Sequence, residues 1–345
     1  MRRWRSLPRS VRVAANLALS SAIIAYLVWQ VDLGRTLELI GNTNGLILLG
    51  AFAVYLASTW GLAWRWQLLL ASRGIHEPLR WLTGLYFVGY AAGQVLPTGI
   101  GGDALRIVEH SRKRPTRKGD VAGAVLMERV IGAAGVLLMV AVGLFAAIGR
   151  YDGVQVLIWI ELVCIAFVAA GFVLLFSLRV RRRLGFMSGV TRRLHIERPA
   201  RAVYEAMHAY RYGPRTIVVV LLVTVVMQFL RIVSIWLCGE AVGLDLSVLV
   251  YVILGPLLFL VMMVPFTING LGVREAFFVA FLGRFGVDPD AAFATGFLFY
   301  AVTIATSIPG ALILLWRSAR PAFGSAKPAG QRTISVRARS GALDE

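Results

Sequence analysis

The 345-residue chain is 58% hydrophobic, carries a formal net charge of +18 and has a mean hydropathy of +0.73. Apolar runs of about 20 residues, enough to cross a bilayer core of roughly 30 Å, recur along it, which excludes a soluble globular enzyme and identifies an integral membrane protein. A basic excess in a soluble domain would suggest nucleic acid, but here it lies in short segments between the apolar runs, so nucleic-acid binding is not expected.

In chain order, Arg2, Arg3, Arg5, Arg9 and Arg12 precede the first apolar run, 13–29. No small-x-small cleavage site precedes Asp32, so an uncleaved crossing helix is expected rather than a signal peptide. A second crossing helix is predicted over 45–71. Segment 81–113 is apolar but broken from Pro97 to Gly102, and basic residues on both sides rule out a simple crossing; it is predicted to enter from the cytoplasm, break and return. Crossing helices follow over 119–148 and 154–177. The segment 178–215 sets ten arginines against Glu197 and Glu205. Within it Pro199 opens a helix to Tyr210 with Val203, Met207 and Tyr210 on one face, suited to the inner membrane surface or to a docking partner. After a crossing helix over 216–239, a second interrupted segment, 246–283, is flanked by Glu240, Asp245, Asp288 and Asp290, and is expected to enter from outside. The last crossing helix covers 291–316, and 321–345 reads as a disordered cytoplasmic tail.

The loops choose the orientation. Segments 1–12, 72–80, 98–118, 178–215 and 317–345 total +22, whereas 30–44, 149–153, 239–246 and 284–290 total −4. Lys/Arg excess marks cytoplasmic loops, so a multi-pass protein of the inner membrane with both termini inside is expected. The fold class is an all-α polytopic membrane protein. Six crossing helices and two re-entrant helical hairpins form one domain, 1–320, with inverted halves of about 1–150 and 151–320. Arg65 and Arg231 lie 166 residues apart near the ends of equivalent helices, in agreement with the hairpin offset.

The two breaks align without gaps at an offset of 168 residues, sharing Pro97/Pro265, Ile100/Ile268, Gly102/Gly270 and Arg106/Arg274. Irregular backbone at membrane depth requires protein or a polar cavity around it, and paired Gly/Pro breaks in two halves point to a transporter-type site. Gly99, Gly101 and Gly102 let a ligand approach the backbone, and Asp103 is placed to cap the returning half-helix. A half-helix N-terminus suits an anion, and Arg106, one turn on, adds a planar donor set for phosphate. In the second hairpin Asn269 or Thr267 is placed to cap, Gly270 and Gly272 supply permissive backbone, and Arg274 takes the equivalent place.

The competing use of these arginines is to pair with carboxylates and hold the hairpins together. Glu275 follows Arg274, and Glu128-Arg129 lies about two turns inside the fourth apolar segment, open to either role. No cofactor motif, metal-ligand spacing or nucleophile-base pair is present; Cys164 and Cys238 fall in apolar segments and the four histidines beside basic ones. Asp288-Pro289-Asp290 reads as a turn and helix cap. Trp60, Trp64, Trp66, Trp81 and Trp316 read as interfacial belt or helix packing.

The run Tyr86-x3-Tyr90-x3-Gln94-x2-Pro97-x-Gly99-x-Gly101-Gly102-Asp103-x2-Arg106, then Glu128-Arg129, then Pro265-x4-Gly270-x-Gly272-x-Arg274-Glu275, resembles the membrane region of lysylphosphatidylglycerol synthases. That region also occurs alone, as a flippase-like family once called uncharacterised. The resemblance spans nearly all of 10–318. Gln94 stands where the family often has Asn. The full synthases carry a cytoplasmic acyltransferase domain, for which the segment after Trp316 is too short, so a stand-alone membrane domain is expected. The resemblance implies transbilayer movement of an anionic phospholipid or related lipid carrier, without a catalytic step, and with a second copy or a lipid-synthesis enzyme as possible protein partner. The alternative is a membrane accessory or enzyme of glycolipid and polyprenyl-phosphate assembly using Asp103, Glu128 and Glu275.

Overall fold

In a computed structural model, the structure describes residues 33–95, 100–113, 117–147, 213–263 and 272–319, with the isolated residues Trp159, Leu162, Val163, Ala166, Ala170, Glu205 and Tyr210. Among these every regular element is helical: α1 (Leu33–Gly41), α2 (Gly45–Ala71), α3 (Leu79–Val95), α4 (Ile100–Lys113), α5 (Lys118–Ala147), α6 (Pro214–Val242), α7 (Val248–Met263), α8 (Val273–Leu282) and α9 (Pro289–Ala319). The ends follow local chemistry. The Asn44 side chain accepts from the amides of Leu46 and Ile47 at the start of α2, and Pro214 opens α6, which stops at Gly243 in the left-handed region (φ 95°). Asp288 accepts from the Asp290 amide as α9 begins, the turn-and-cap role expected for Asp288-Pro289-Asp290.

Among the described residues four helices are long and apolar enough to cross a membrane, Gly45–Ala71, Lys118–Gly143, Pro214–Val242 and Pro289–Trp316, matching four of the six predicted crossings. Their outer faces expose Leu46, Phe145, Leu222, Leu312 and Leu315, as lipid-facing helices do. The protein is therefore a multi-pass membrane protein. The predicted crossing at 13–29 and the tail 321–345 lie outside the described residues, as does most of 154–177. Tyr210 is buried, and its hydroxyl donates to the Leu69 carbonyl of α2 at 3.0 Å; Val203 and Met207 of the predicted 199–210 helix lie outside the described residues.

Residue pairings define how the halves meet. The Asn44 amide donates to Ala241 O, the Ser234 hydroxyl to Ala51 O, Gly61 faces Met227 and Arg65 reaches Thr224, so α2 and α6 run antiparallel. Gly61 and Met227, at the crossing, are 166 residues apart, the Arg65/Arg231 offset. In the first interrupted segment, Gly89 packs on Gly102 and Lys113 pairs with Glu77 at 2.7 Å, so α3 and α4 form an antiparallel hairpin. The interrupted segments pack on long helices far away in sequence. Gly310 of α9 lies on the backbone of Phe87 and Val88, and Gly143 of α5 on that of Val252 and Ile253; the two glycines are 167 residues apart. Among the described residues two apolar cores result, one around Trp66, Leu85 and Val125, the other around Tyr251, Leu257 and Phe278.

Candidate functional site: a buried arginine and aromatic seam

The first hairpin carries its charges inward. Glu128, on α5 and 2% exposed, accepts through one oxygen from Arg65 Nε (3.3 Å), Arg65 Nη2 (3.1 Å) and the Tyr86 hydroxyl (2.6 Å), and through the other from Arg106 Nη2 (3.2 Å). The same Arg106 nitrogen donates to Asp103 at 2.6 Å, and Asp103 also takes the half-exposed Arg129 at 2.6 Å. Arg65 Nη1 continues to Thr224 of α6 at 3.2 Å. Arg106 sits over the rings of Tyr86 (4.0 Å to the centroid) and Trp66 (4.9 Å), where cation–π attraction adds to the ion pairs. An isolated charge at this depth would cost about 2.5–3.5 kcal/mol or more, which explains why the groups interlock across four helices. Arg106 Nη1 is buried and has no hydrogen-bond partner among the described residues.

From this cluster a line of rings leads to α8. Tyr86 meets Tyr90 at 6.4 Å, and the Tyr90 hydroxyl accepts from Arg231 Nη2. The Arg231 guanidinium lies 5.2 Å from the Tyr55 ring, Tyr55 meets Phe299 edge-on at 5.7 Å, and Phe299 lies 5.5 Å from the guanidinium of Arg274. Arg274, 2% exposed near the start of α8, also covers Tyr300 at 4.9 Å. Glu275 is buried beside it and accepts from the Gly272 amide at 2.7 Å.

Of the expected site residues, Asp103, Arg106, Glu128 and Arg129 come together in one cluster. Arg274 and Glu275 sit at the far end of the seam, and Gln94 reaches the Thr303 carbonyl at 3.5 Å. Gly99, Asn269 and Gly270 lie outside the described residues. Three local arrangements bear on these residues. The helix resumes at Ile100, so Gly101 and Gly102 belong to its first turn, where a β-carbon on Gly102 would overlap the Gly89 carbonyl; the missing side chain serves helix contact. Asp103, three residues into α4, spends its carboxylate on Arg106 and Arg129 rather than on a cap. In the second interrupted segment Gly272 (φ 82°) precedes α8, with Glu275 reaching back to its amide; Thr267, like Asn269, lies outside the described residues.

Arg65, Arg231, Tyr55, Tyr86, Tyr90 and Trp66 were not among the expected site residues. Their signal was present: two charges within apolar runs, and tyrosines at helical spacing before the first break.

The profile described as Lysylphosphatidylglycerol synthase TM region matches residues 13–310. The chain is 23% identical over 283 residues to the "UPF0104 membrane protein" of Methanothermobacter thermautotrophicus, covering 76% of this chain and 80% of that one. It is 30% identical over 157 residues to "Glycosyltransferase AglD" of Haloferax volcanii, covering 44% of this chain and 24% of that one; the chain thus matches about a quarter of the length of AglD. No solved structure matches. The chain belongs to the lysylphosphatidylglycerol synthase TM region family.

Proposed function

We propose that this member of the lysylphosphatidylglycerol synthase TM region family moves an anionic phospholipid, or a related anionic lipid carrier, between the leaflets of the cytoplasmic membrane. The observation that carries the reading is the continuous chain of guanidinium and ring contacts from Arg106 to Arg274, each on the returning helix of a broken segment. Buried arginines facing a protein interior at membrane depth mark an ion or headgroup path. In this reading 81–113 and 246–283 are re-entrant hairpins entering from opposite sides, and six crossing helices surround them. Both termini are cytoplasmic, as the loop charges favour. The headgroup phosphate exchanges between guanidinium groups while the acyl tails stay in lipid. No chemical bond changes, so downhill movement needs no cofactor and uphill movement needs an ion gradient. The test is reconstitution in liposomes with a fluorescent phosphatidylglycerol analogue and leaflet-selective quenching. Protein-dependent exposure of the inner-leaflet probe is expected.

The similarity to AglD favours a second reading, a part in glycolipid assembly on a polyprenyl-phosphate, either catalytic or as the membrane partner of a synthase. Against a catalytic part, the oxygens of Asp103 and Glu128 already accept guanidinium and phenol donors. Transfer of a labelled sugar to polyprenyl-phosphate by the purified chain would establish this reading in place of the first.

A further inference from the structure

Within the seam the arginines differ in what balances them. Arg65 meets Glu128, Arg106 meets Asp103 and Glu128, and Arg129 meets Asp103. Arg231 is held differently. It lies in the apolar span Pro214–Val242, and no carboxylate among the described residues pairs with it. Its guanidinium is flanked by the rings of Tyr55 (5.2 Å) and Tyr90 (5.9 Å), Nη2 donates to the Tyr90 hydroxyl, and Nε is buried with no hydrogen-bond partner among the described residues. Two aromatic faces and one phenol stabilise a cation without neutralising it, so a positive charge stands at the seam's midpoint.

We infer that Arg231 is a third anion-binding residue, a central station at which a phosphate group is held as it passes between the hairpins. The inference rests on the transport reading for its direction of use, but the site itself is a binding claim. The chemistry fits a phosphate monoanion. Arg231 Nε supplies a donor with no other use, Nη2 is released when the anion replaces the Tyr90 hydroxyl, and the guanidinium edge then matches two phosphate oxygens. Tyr90 becomes a donor to the same anion. The ring contacts on either side, Tyr90 to Tyr86 and Tyr55 to Phe299, lead on to Arg106 and Arg274. Arg231 is partly exposed, whereas Arg106 and Arg274 are buried.

The test is binding and transport by the full chain and its Arg231→Ala, Arg231→Lys and Tyr90→Phe variants, with thermal midpoints recorded on the same preparations. In detergent, dihexanoyl-phosphatidylglycerol and inorganic phosphate are titrated separately. Arg231→Ala is expected to weaken phosphatidylglycerol binding at least ten-fold without lowering the thermal midpoint, because no carboxylate loses its partner. Arg231→Lys is expected to restore binding in part, and Tyr90→Phe to weaken it two- to five-fold. If inorganic phosphate competes at equal concentration, the site takes the free anion; if it does not, the headgroup is the ligand, and both results uphold an anion site at Arg231. Unchanged affinity in a folded Arg231→Ala protein, or no binding of either probe by the native chain, overturns it. Binding through Arg231 without lipid movement would refute the transport reading and leave the site standing.

Discussion

Glu128 is the sharpest test of how the hairpin is held. Its carboxylate accepts four donors from three other helices: two from Arg65, one from Tyr86 and one from Arg106. Glu128→Ala removes all four, leaves Arg65 with Thr224 alone and leaves Arg106 with Asp103. Breaking a buried ion pair by deleting one partner costs about 3–5 kcal/mol. Because Arg106 keeps one carboxylate, the loss should come mainly through Arg65. Glu128→Gln keeps an acceptor for Tyr86 and one guanidinium but loses the charge, and should cost about 1–3 kcal/mol. Arg65→Ala/Glu128→Ala should fall short of the sum of the single losses by about 1–3 kcal/mol, since the two groups share one interaction. Reversible unfolding in mixed SDS micelles, followed by circular dichroism, measures these differences. Glu128→Ala as stable as the native protein to within about 0.5 kcal/mol would refute the idea that the network holds the hairpin.

Gly102→Leu should destabilise the protein and abolish activity, because its side chain would drive into the Gly89 carbonyl, whereas Leu126→Ala on the exposed face of α5 should be tolerated; melting and transport at matched protein level compare them. Asp120→Ala removes partly exposed pairs with Arg73 (3.0 Å) and Arg117 (2.7 Å), so a loss of no more than about 1 kcal/mol is expected in the same unfolding assay. For topology, single cysteines at 114 and 287 in a chain lacking Cys164 and Cys238 should react with an impermeant thiol reagent from the cytoplasmic and the outer side respectively. Labelling of 114 from outside would remove the cytoplasmic entry of the first hairpin.

Much of the helical framework was legible because hydropathy and length dictate it: α2, α5, α6 and α9 fall within a few residues of their predicted limits. The sequence also shows two breaks at one offset and Arg65/Arg231 at nearly the same offset, the pattern from which a repeat is read. What the sequence does not display is which faces touch. That Gly102 lies against Gly89 is invisible in the sequence, and Gly143 and Gly310 acquire meaning only when each lies on the backbone of a distant helix. The role of the first-turn carboxylates is hidden for a related reason. Asp103 and Glu275 sit within the first turn of their helices, where a carboxylate serves either an amide or a guanidinium, and the neighbours decide which. Arg231 was read only as a mark of the repeat, because its aromatic partners come from α2 and α3, far away in sequence.

The central claim is that Arg106 and Arg274 serve one anionic path, and the Arg106→Ala/Arg274→Ala double mutant tests it most directly. The geometry makes the variant informative: without Arg106, Glu128 still has Arg65 and Tyr86 and Asp103 still has Arg129, while without Arg274 Glu275 keeps the Gly272 amide. The measurement is the rate at which a fluorescent phosphatidylglycerol analogue in the inner leaflet of liposomes becomes open to an external quencher, on protein whose melting is recorded alongside. Rapid exposure with the native chain, and a rate no higher than protein-free liposomes with the folded double mutant, is the predicted result. The native rate in a folded double mutant would contradict the account, as would a native protein that never exceeds the protein-free rate.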